Sequence, residues 1–93
     1  MNFEWDAAKA KENLRKHGVP FTAAERFEFD TALIGIDDDL GYGEERLKAY
    51  GFIGYRLHLM VYVERGDTGR IVSLRVATRN EKRTYEDHIA QGW

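Results

Sequence analysis

At 93 residues, with 43% hydrophobic content and no cysteine, the chain has the size of one domain (residues 1–93), and neither a disulfide framework nor a thiolate zinc site is open to it. Lys and Arg number 14 against 16 Asp and Glu, a formal net charge of -2, so the global basic field that marks many nucleic-acid binders is excluded and any RNA-handling surface has to be a local patch. No apolar run approaches the ~20 residues of a membrane span, and the opening MNFEWDAAKAKENL carries acids but no apolar h-region, so it reads as neither membrane segment nor secretory leader. The absence of cysteine fits a reducing cytoplasm.

Asn2 to Trp5 is short and suits a strand edge. Asp6 is a good N-cap for a helix over Ala7 to His17, and Gly18 ends it. Ala10, Leu14 and His17 share a weakly apolar stripe of that helix, while Val19 and Phe21 point toward the core around Pro20. Thr22 with Glu25 reads as a capping box, opening a second short helix to about Phe27. Ala32 to Ile36 is a short apolar strand, followed by the turn-like DDDLGYG of Asp37 to Gly43.

Two alternating runs follow. Glu45 to Ile53 sends Leu47, Ala49 and Ile53 one way and Arg46, Lys48, Tyr50 and Phe52 the other. In Leu57 to Arg65 the expected inward set is Leu59, Val61 and Val63, with His58, Met60, Tyr62 and Glu64 outward. RGDTG (Arg65 to Gly69) is a hairpin loop. The last strand puts Val72, Leu74 and Val76 on one face and Ser73 and Arg75 on the other, and a helix runs from Thr78 to about Ala90. The expected fold is α+β: two N-terminal helices, an antiparallel meander of about four strands, and a C-terminal helix.

The junction RIVSLRVATRNEKRTY is the most informative stretch. Thr78 with Glu81 is a capping box, so one segment presents Arg75 from a sheet and Arg79, Lys82 and Arg83 from the first helical turns. The outward side chains of three strands add Arg46, Lys48, Tyr50, His58, Tyr62, Glu64 and Ser73. Such a set can cleave RNA without a metal or cofactor. A base takes the 2′-hydroxyl proton, with Glu64 or His58 as candidates; cations stabilise the phosphorane, with Arg75, Arg46 and Arg65 as candidates; Tyr50 or Tyr62 stacks on a base.

Plainer readings stand beside these. Arg75 and Glu64 can be a simple cross-strand ion pair. Lys82–Glu86 and Arg83–Asp87 can be i,i+4 pairs on a solvated helix face. His17 suits a helix C-terminus, and Trp5 and Trp93 suit packing. Asp37, Asp38 and Asp39 lack the spacing of a calcium loop, so no metal site is expected.

In its order and spacing of residues the chain resembles the BrnT toxins of bacterial type II toxin–antitoxin modules. The matching pieces are Phe3-Glu4-Trp5-Asp6, Lys9, Asn13, Lys16-His17-Gly18-Val19 and Phe21; then Gly43-Glu44-Glu45-Arg46, Tyr62 and Glu64-Arg65-Gly66; and finally Arg70-Ile71, Ser73, Arg75, Ala77-Thr78-Arg79, Glu81, Arg83 and Tyr85-Glu86. The resemblance implies a RelE-like fold, cytoplasmic endoribonuclease activity and arrest of translation. It also implies neutralisation by a BrnA-type antitoxin with a ribbon-helix-helix part, through which the pair reaches operator DNA. Lys48 and His58 lie outside the matching pattern. The residues expected to do chemistry are therefore Glu64 as base, Arg75 and Arg65 as phosphate stabilisers, and Tyr62; Arg46, Lys48, Tyr50, His58, Arg79 and Arg83 are expected to guide RNA. The rivals are a non-catalytic module that docks RNA or an acidic protein through the same corner, and a degenerate toxin acting only as co-repressor.

Overall fold

The computed structural model describes residues 1–37 and 44–92. Asp38, Asp39, Gly43 and Trp93, named above, lie outside the described residues. The architecture is α+β, with a five-stranded sheet and helices at both ends of the chain. The strands are β1 (Asn2–Glu4), β2 (Glu28–Asp37), β3 (Arg46–Ile53), β4 (Arg56–Arg65) and β5 (Thr68–Val76), in the spatial order β1-β5-β4-β3-β2. The helices are α1 (Ala7–His17) and α2 (Arg79–Gln91).

Two expectations are corrected. First, the sheet is mixed and has one strand more than the meander: β1 joins the outer edge of β5 in parallel, Phe3 opposite Gly69, while β2 to β5 are antiparallel neighbours. Second, only one α-helix lies before β2. The second element, Phe21–Arg26, is a 3-10 helix that starts from Pro20 with no side-chain cap, so the Thr22–Glu25 capping box does not form. Six residues fixed at the start by a proline favour the tighter helix, which is used in short pieces.

Local chemistry explains the remaining ends. Asp6 accepts from the Lys9 N–H to open α1, and Gly18 closes it at φ 72°. The β3–β4 and β4–β5 hairpins each have two-residue loops beginning with glycine, Gly54 at φ 65° and Gly66 at φ 62°. A positive φ at the first turn position matches the twist of the flanking strands.

Register shows which way each side chain faces. Ala49, Met60 and Leu74 are opposite one another on β3, β4 and β5, and all three are fully buried. They belong to the inner face, packed against Phe21 and Ala24 of the 3-10 segment and Phe27 just after it. Phe29 stands edge-on to Tyr62 at 6.3 Å and continues through Phe27. A bulge in β5 leaves Val72 without an opposite number between the pairs Val61–Ser73 and Tyr62–Ile71, so Ile71, not Val72, joins Leu74 in the core. The expected stripe of α1 is also thinner than its sequence: Ala10 packs on the core, but Leu14 is half exposed and His17 exposed.

The outer face is covered in part by α2. Tyr85 is buried, stands edge-on to Phe52 at 5.6 Å, and its hydroxyl donates to the Thr31 carbonyl at 2.7 Å. Leu57, Leu59 and Val63 are buried on this side of β4. The strand therefore buries residues on both faces, and its polarity is the reverse of the one expected. Met60 and Tyr62 point into the main core, and His58 and Glu64 share their face.

Asn13 locks α1 to the sheet. Its amide donates to the Leu74 carbonyl at 2.7 Å and to the Val19 carbonyl at 3.0 Å, and accepts from the Leu74 N–H at 3.1 Å. A single side chain thus serves the edge of β5 where β1 no longer reaches.

Candidate nucleic-acid interface

The site is built at the bend where β5 ends and α2 begins. Thr78 caps α2: its Oγ1 accepts from the Glu81 N–H at 3.2 Å, and the Glu81 carboxylate accepts from the Thr78 N–H at 2.8 Å. The same carboxylate turns to the outer sheet face and takes both arms of Arg75, Nη1 to Oε1 and Nη2 to Oε2, each at 2.8 Å. The Tyr50 hydroxyl, from β3, donates to Oε2 at 3.2 Å. Tyr50, Leu59 and Arg75 stand in one row across β3, β4 and β5, which brings the phenol and the guanidinium to one carboxylate.

Electrostatics follow from this geometry. The hydrogen bond from Arg75, with the Thr78 N–H and Tyr50, holds the Glu81 carboxyl down at about 2 against the desolvation that opposes it. Glu81 in turn raises the Arg75 guanidinium further. Burial, then the negative charge of Glu81, pushes the Tyr50 phenol up. At neutral pH the cluster is a fixed ion pair with a neutral phenol at its side. Arg75 keeps its Nε–H and its second Nη2–H without a protein partner among the described residues.

Successive rows of the outer face carry further cations. Lys48 lies opposite Val61, and Val61 opposite Ser73, one row from Arg75. Arg46 lies opposite Asp37, one row beyond Lys48. Arg65 shares this face by alternation with Leu59, Val61 and Val63, and is bonded to Glu44 at 3.1 Å. At about 3.3 Å per residue, Arg65 stands roughly 20 Å along the strand from the Arg75 row, so the two cannot hold one phosphate. Arg79, Lys82 and Arg83 are exposed on α2. Lys82 and Arg83 form no ion pair among the described residues, so the i,i+4 pairs with Glu86 and Asp87 are not made.

The other expected site residues are elsewhere. Glu64 faces the opposite side of the sheet from Arg75, exposed beside Met1, Asn2, Gly66 and Asp67, and the expected Glu64–Arg75 pair does not form. Tyr62 is a core residue whose phenol is pushed up by burial and by Glu64. His58 is buried on the inner face, its Nδ1 donates to the Arg56 carbonyl at 2.8 Å, and desolvation lowers its pKa. The structure thus puts Arg46, Lys48, Tyr50, Arg65 and Arg75 on one face, with Arg65 at its far end, and puts Glu64, Tyr62 and His58 on the other. Glu81 is the site residue that the sequence alone marks only as a cap. A signal for more is present: the third residue of α2 is three positions from Thr78 and six from Arg75, both at the same bend.

Among the described residues no three His, Asp or Glu side chains converge in a way that would hold a metal ion, and no helix is long and apolar enough to cross a membrane. A family model described as the ribonuclease toxin BrnT of type II toxin–antitoxin systems matches residues 5–81. Compared with curated proteins, the chain finds no match.

Proposed function

The chain belongs to the BrnT family of ribonuclease toxins of type II toxin–antitoxin systems, and we propose that its RNA-cleaving surface is the outer sheet face beside the β5–α2 bend. The observation that carries this reading is the Arg75–Glu81 fork with Tyr50 against it. A guanidinium held on both arms is preorganised, and its remaining N–H groups are aimed by the pair rather than by a flexible chain.

In this reading the RNA supplies its own nucleophile. The 2′-hydroxyl gives its proton to solvent water and attacks the adjacent phosphorus, the P–O5′ bond breaks, the leaving 5′-oxygen takes a proton from water, and the products are a 2′,3′-cyclic phosphate and a 5′-hydroxyl. Arg75 stabilises the charge that builds on the non-bridging oxygens. Glu81 holds Arg75 and Tyr50 in place; at about 2 its pKa suits it to positioning and not to proton transfer at neutral pH. Lys48, Arg46 and Arg65 lead the flanking backbone along the strands, and Arg79 and Arg83 meet it from α2. Tyr50 offers a ring edge beside the phosphate. Glu64, facing the other way, is left out of the reacting group.

The proposal extends to the setting: a cytoplasmic endoribonuclease that blocks translation, silenced by a BrnA-type ribbon-helix-helix antitoxin that carries the pair to operator DNA. The test is cleavage of end-labelled RNA by the purified chain, with and without excess EDTA, together with growth on induction alone or with the antitoxin. Cleavage that survives EDTA and leaves cyclic phosphate ends is expected. Activity that disappears with chelator and returns with Mg²⁺ would contradict this chemistry, and an inert chain that still binds RNA would favour the docking module.

A further inference from the structure

One side of α1 is poorly explained by folding. Lys9, Asn13 and Lys16 follow one another at i, i+4 and i+7, a stripe that faces the free edge of β5. A stripe that only packed would be apolar. Asn13 is accounted for by its bonds to Leu74 and Val19. The two lysines, one turn to either side, are not. Lys9 lies in the first turn of α1, where the helix dipole disfavours a cation and which itself carries no acid. Its amine has no hydrogen bond or ion pair among the described residues. Lys16 lies 3.7 Å from Glu12, but that carboxylate is gripped by Nε and Nη2 of Arg15, whose guanidinium matches its charge and holds its pKa down.

Across from this stripe stands the bulge of β5. The extra residue lets Val72 and Ser73 together line a groove with Lys9, Asn13, Lys16, His17 and Glu12, whose carboxylate Arg15 already holds. Ser73 is also the last member of the row Lys48–Val61–Ser73 on the outer face. It therefore sits on the rim where that face turns over the edge of the sheet onto α1. From Lys48 to Ser73 is two strand spacings, about 10 Å, and Lys9 and Lys16 are seven residues or about 10 Å apart along the helix.

We infer that the groove between α1 and the β5 bulge, with Lys9, Lys16, His17 and Ser73, is a phosphate-binding extension of the RNA surface, holding single-stranded backbone that has crossed the sheet from Lys48. The inference rests on the outer-face reading of the cleavage site. The lysines donate to phosphate oxygens as mobile point charges, and the Ser73 hydroxyl and the His17 ring add short-range donors at the groove floor and end. These contacts are to phosphate and not to base edges, so the extension raises affinity without sequence preference.

The experiment compares wild type, the Lys9→Gln/Lys16→Gln double variant and Ser73→Ala as full chains. Binding of a fluorescent ten-nucleotide and a three-nucleotide RNA, both made non-cleavable with 2′-O-methyl groups, is followed by anisotropy against salt. For the double variant, binding of the long RNA is expected to weaken roughly tenfold and its salt dependence to flatten by about 1.4 in log–log slope, at ~0.7 for each phosphate no longer neutralised. The short RNA, which fits beside Arg75 alone, is expected to bind as before. Equal weakening for both lengths, or none for either, overturns the extension. Loss of antitoxin binding with unchanged RNA binding also overturns it, by making the groove a protein-docking surface. Wild type that binds neither RNA indicts the outer-face reading instead, so the two failures are distinct. Thermal melts confirm that the variants are folded; both lysines are exposed and their removal is not expected to lower the melting point.

Discussion

Arg75 and Glu81 meet fork to fork across the bend between a strand and a helix, with two bonds of 2.8 Å. The pair joins a site to a fold. The carboxylate that closes the capping box of α2 is the one that aims the guanidinium. Helix capping and charge placement are thus one device, and disturbing either end disturbs both.

Replacing Arg75 with Ala is expected to lower RNA cleavage by ~10²–10³, the usual cost of one preorganised charge donor. Arg75→Lys is expected to recover little of it, because an ammonium cannot reproduce the two-armed grip. Lys82→Ala, an exposed helix cation, is expected to change mainly the salt dependence of binding. Single-turnover cleavage of labelled RNA separates the three, with circular dichroism to confirm folding; Arg75→Ala at near wild-type rate would remove the site from this face.

The depressed Glu81 pKa gives a stability effect of definite sign. The carboxyl sits at about 2 in the folded chain against a reference of 4.5. The unfolded state therefore binds its proton first as pH falls. The stabilisation is full above about pH 5 and is lost as pH drops through the folded value near 2, with roughly 3 kcal/mol as the order of magnitude. Urea midpoints from pH 2 to pH 6 are expected to show this loss in wild type. Glu81→Gln is expected to be less stable at pH 6 and to have a shallower slope below it.

Gly51 has no room for a side chain. A Cβ there would stand 2.4 Å from Cζ of Phe27. Gly51→Ala is expected to cost about 1–3 kcal/mol by overpacking. The double variant with Phe27→Leu should recover part of that by shortening the ring that clashes. Chemical denaturation of the three proteins measures both numbers; an additive pair would show that the clash relaxes in another way.

Asn13→Ala is expected to cost about 3 kcal/mol, because it leaves the Leu74 N–H, the Leu74 carbonyl and the Val19 carbonyl without their partner at a buried site. Asn13→Asp keeps an acceptor for the N–H but sets a carboxylate against two carbonyls, so it is expected to be no better at neutral pH. Hydrogen exchange at Leu74 reports the loss directly, as faster exchange at that amide than at Met60.

Much of the fold was legible in the sequence where one local rule sufficed. Asp6, Gly18 and Thr78 mark helix ends correctly, and β3 alternates as expected because Arg46, Lys48 and Tyr50 contrast with Leu47 and Ala49. The expectation for β4 failed because the strand has no such contrast. Leu57, Leu59, Val61 and Val63 alternate with Met60 and Tyr62, and a strand covered on both faces does not announce which face is the main core. That one reversal moved Glu64, Tyr62 and His58 to the wrong side. The parallel pairing of β1 was out of reach because three residues carry no directional signal, and the bulge at Val72 because a single extra residue leaves the apolar pattern nearly intact.

The pairing of β1 with β5 has a consequence for the timing of synthesis. Asn2 and Phe3 leave the ribosome long before their partners Thr68 and Gly69, and Asn13 waits for Leu74. At about 5–20 residues per second the early segments spend seconds with no native neighbour. Pairings so distant in sequence also slow the search once the chain is complete. Arg75 and Glu81 emerge later still, so the proposed cleavage surface forms after β1 to β4 have been made. A growing chain of this topology has no Arg75–Glu81 pair until Glu81 has emerged, and the delay gives a neutralising partner already present time to arrive.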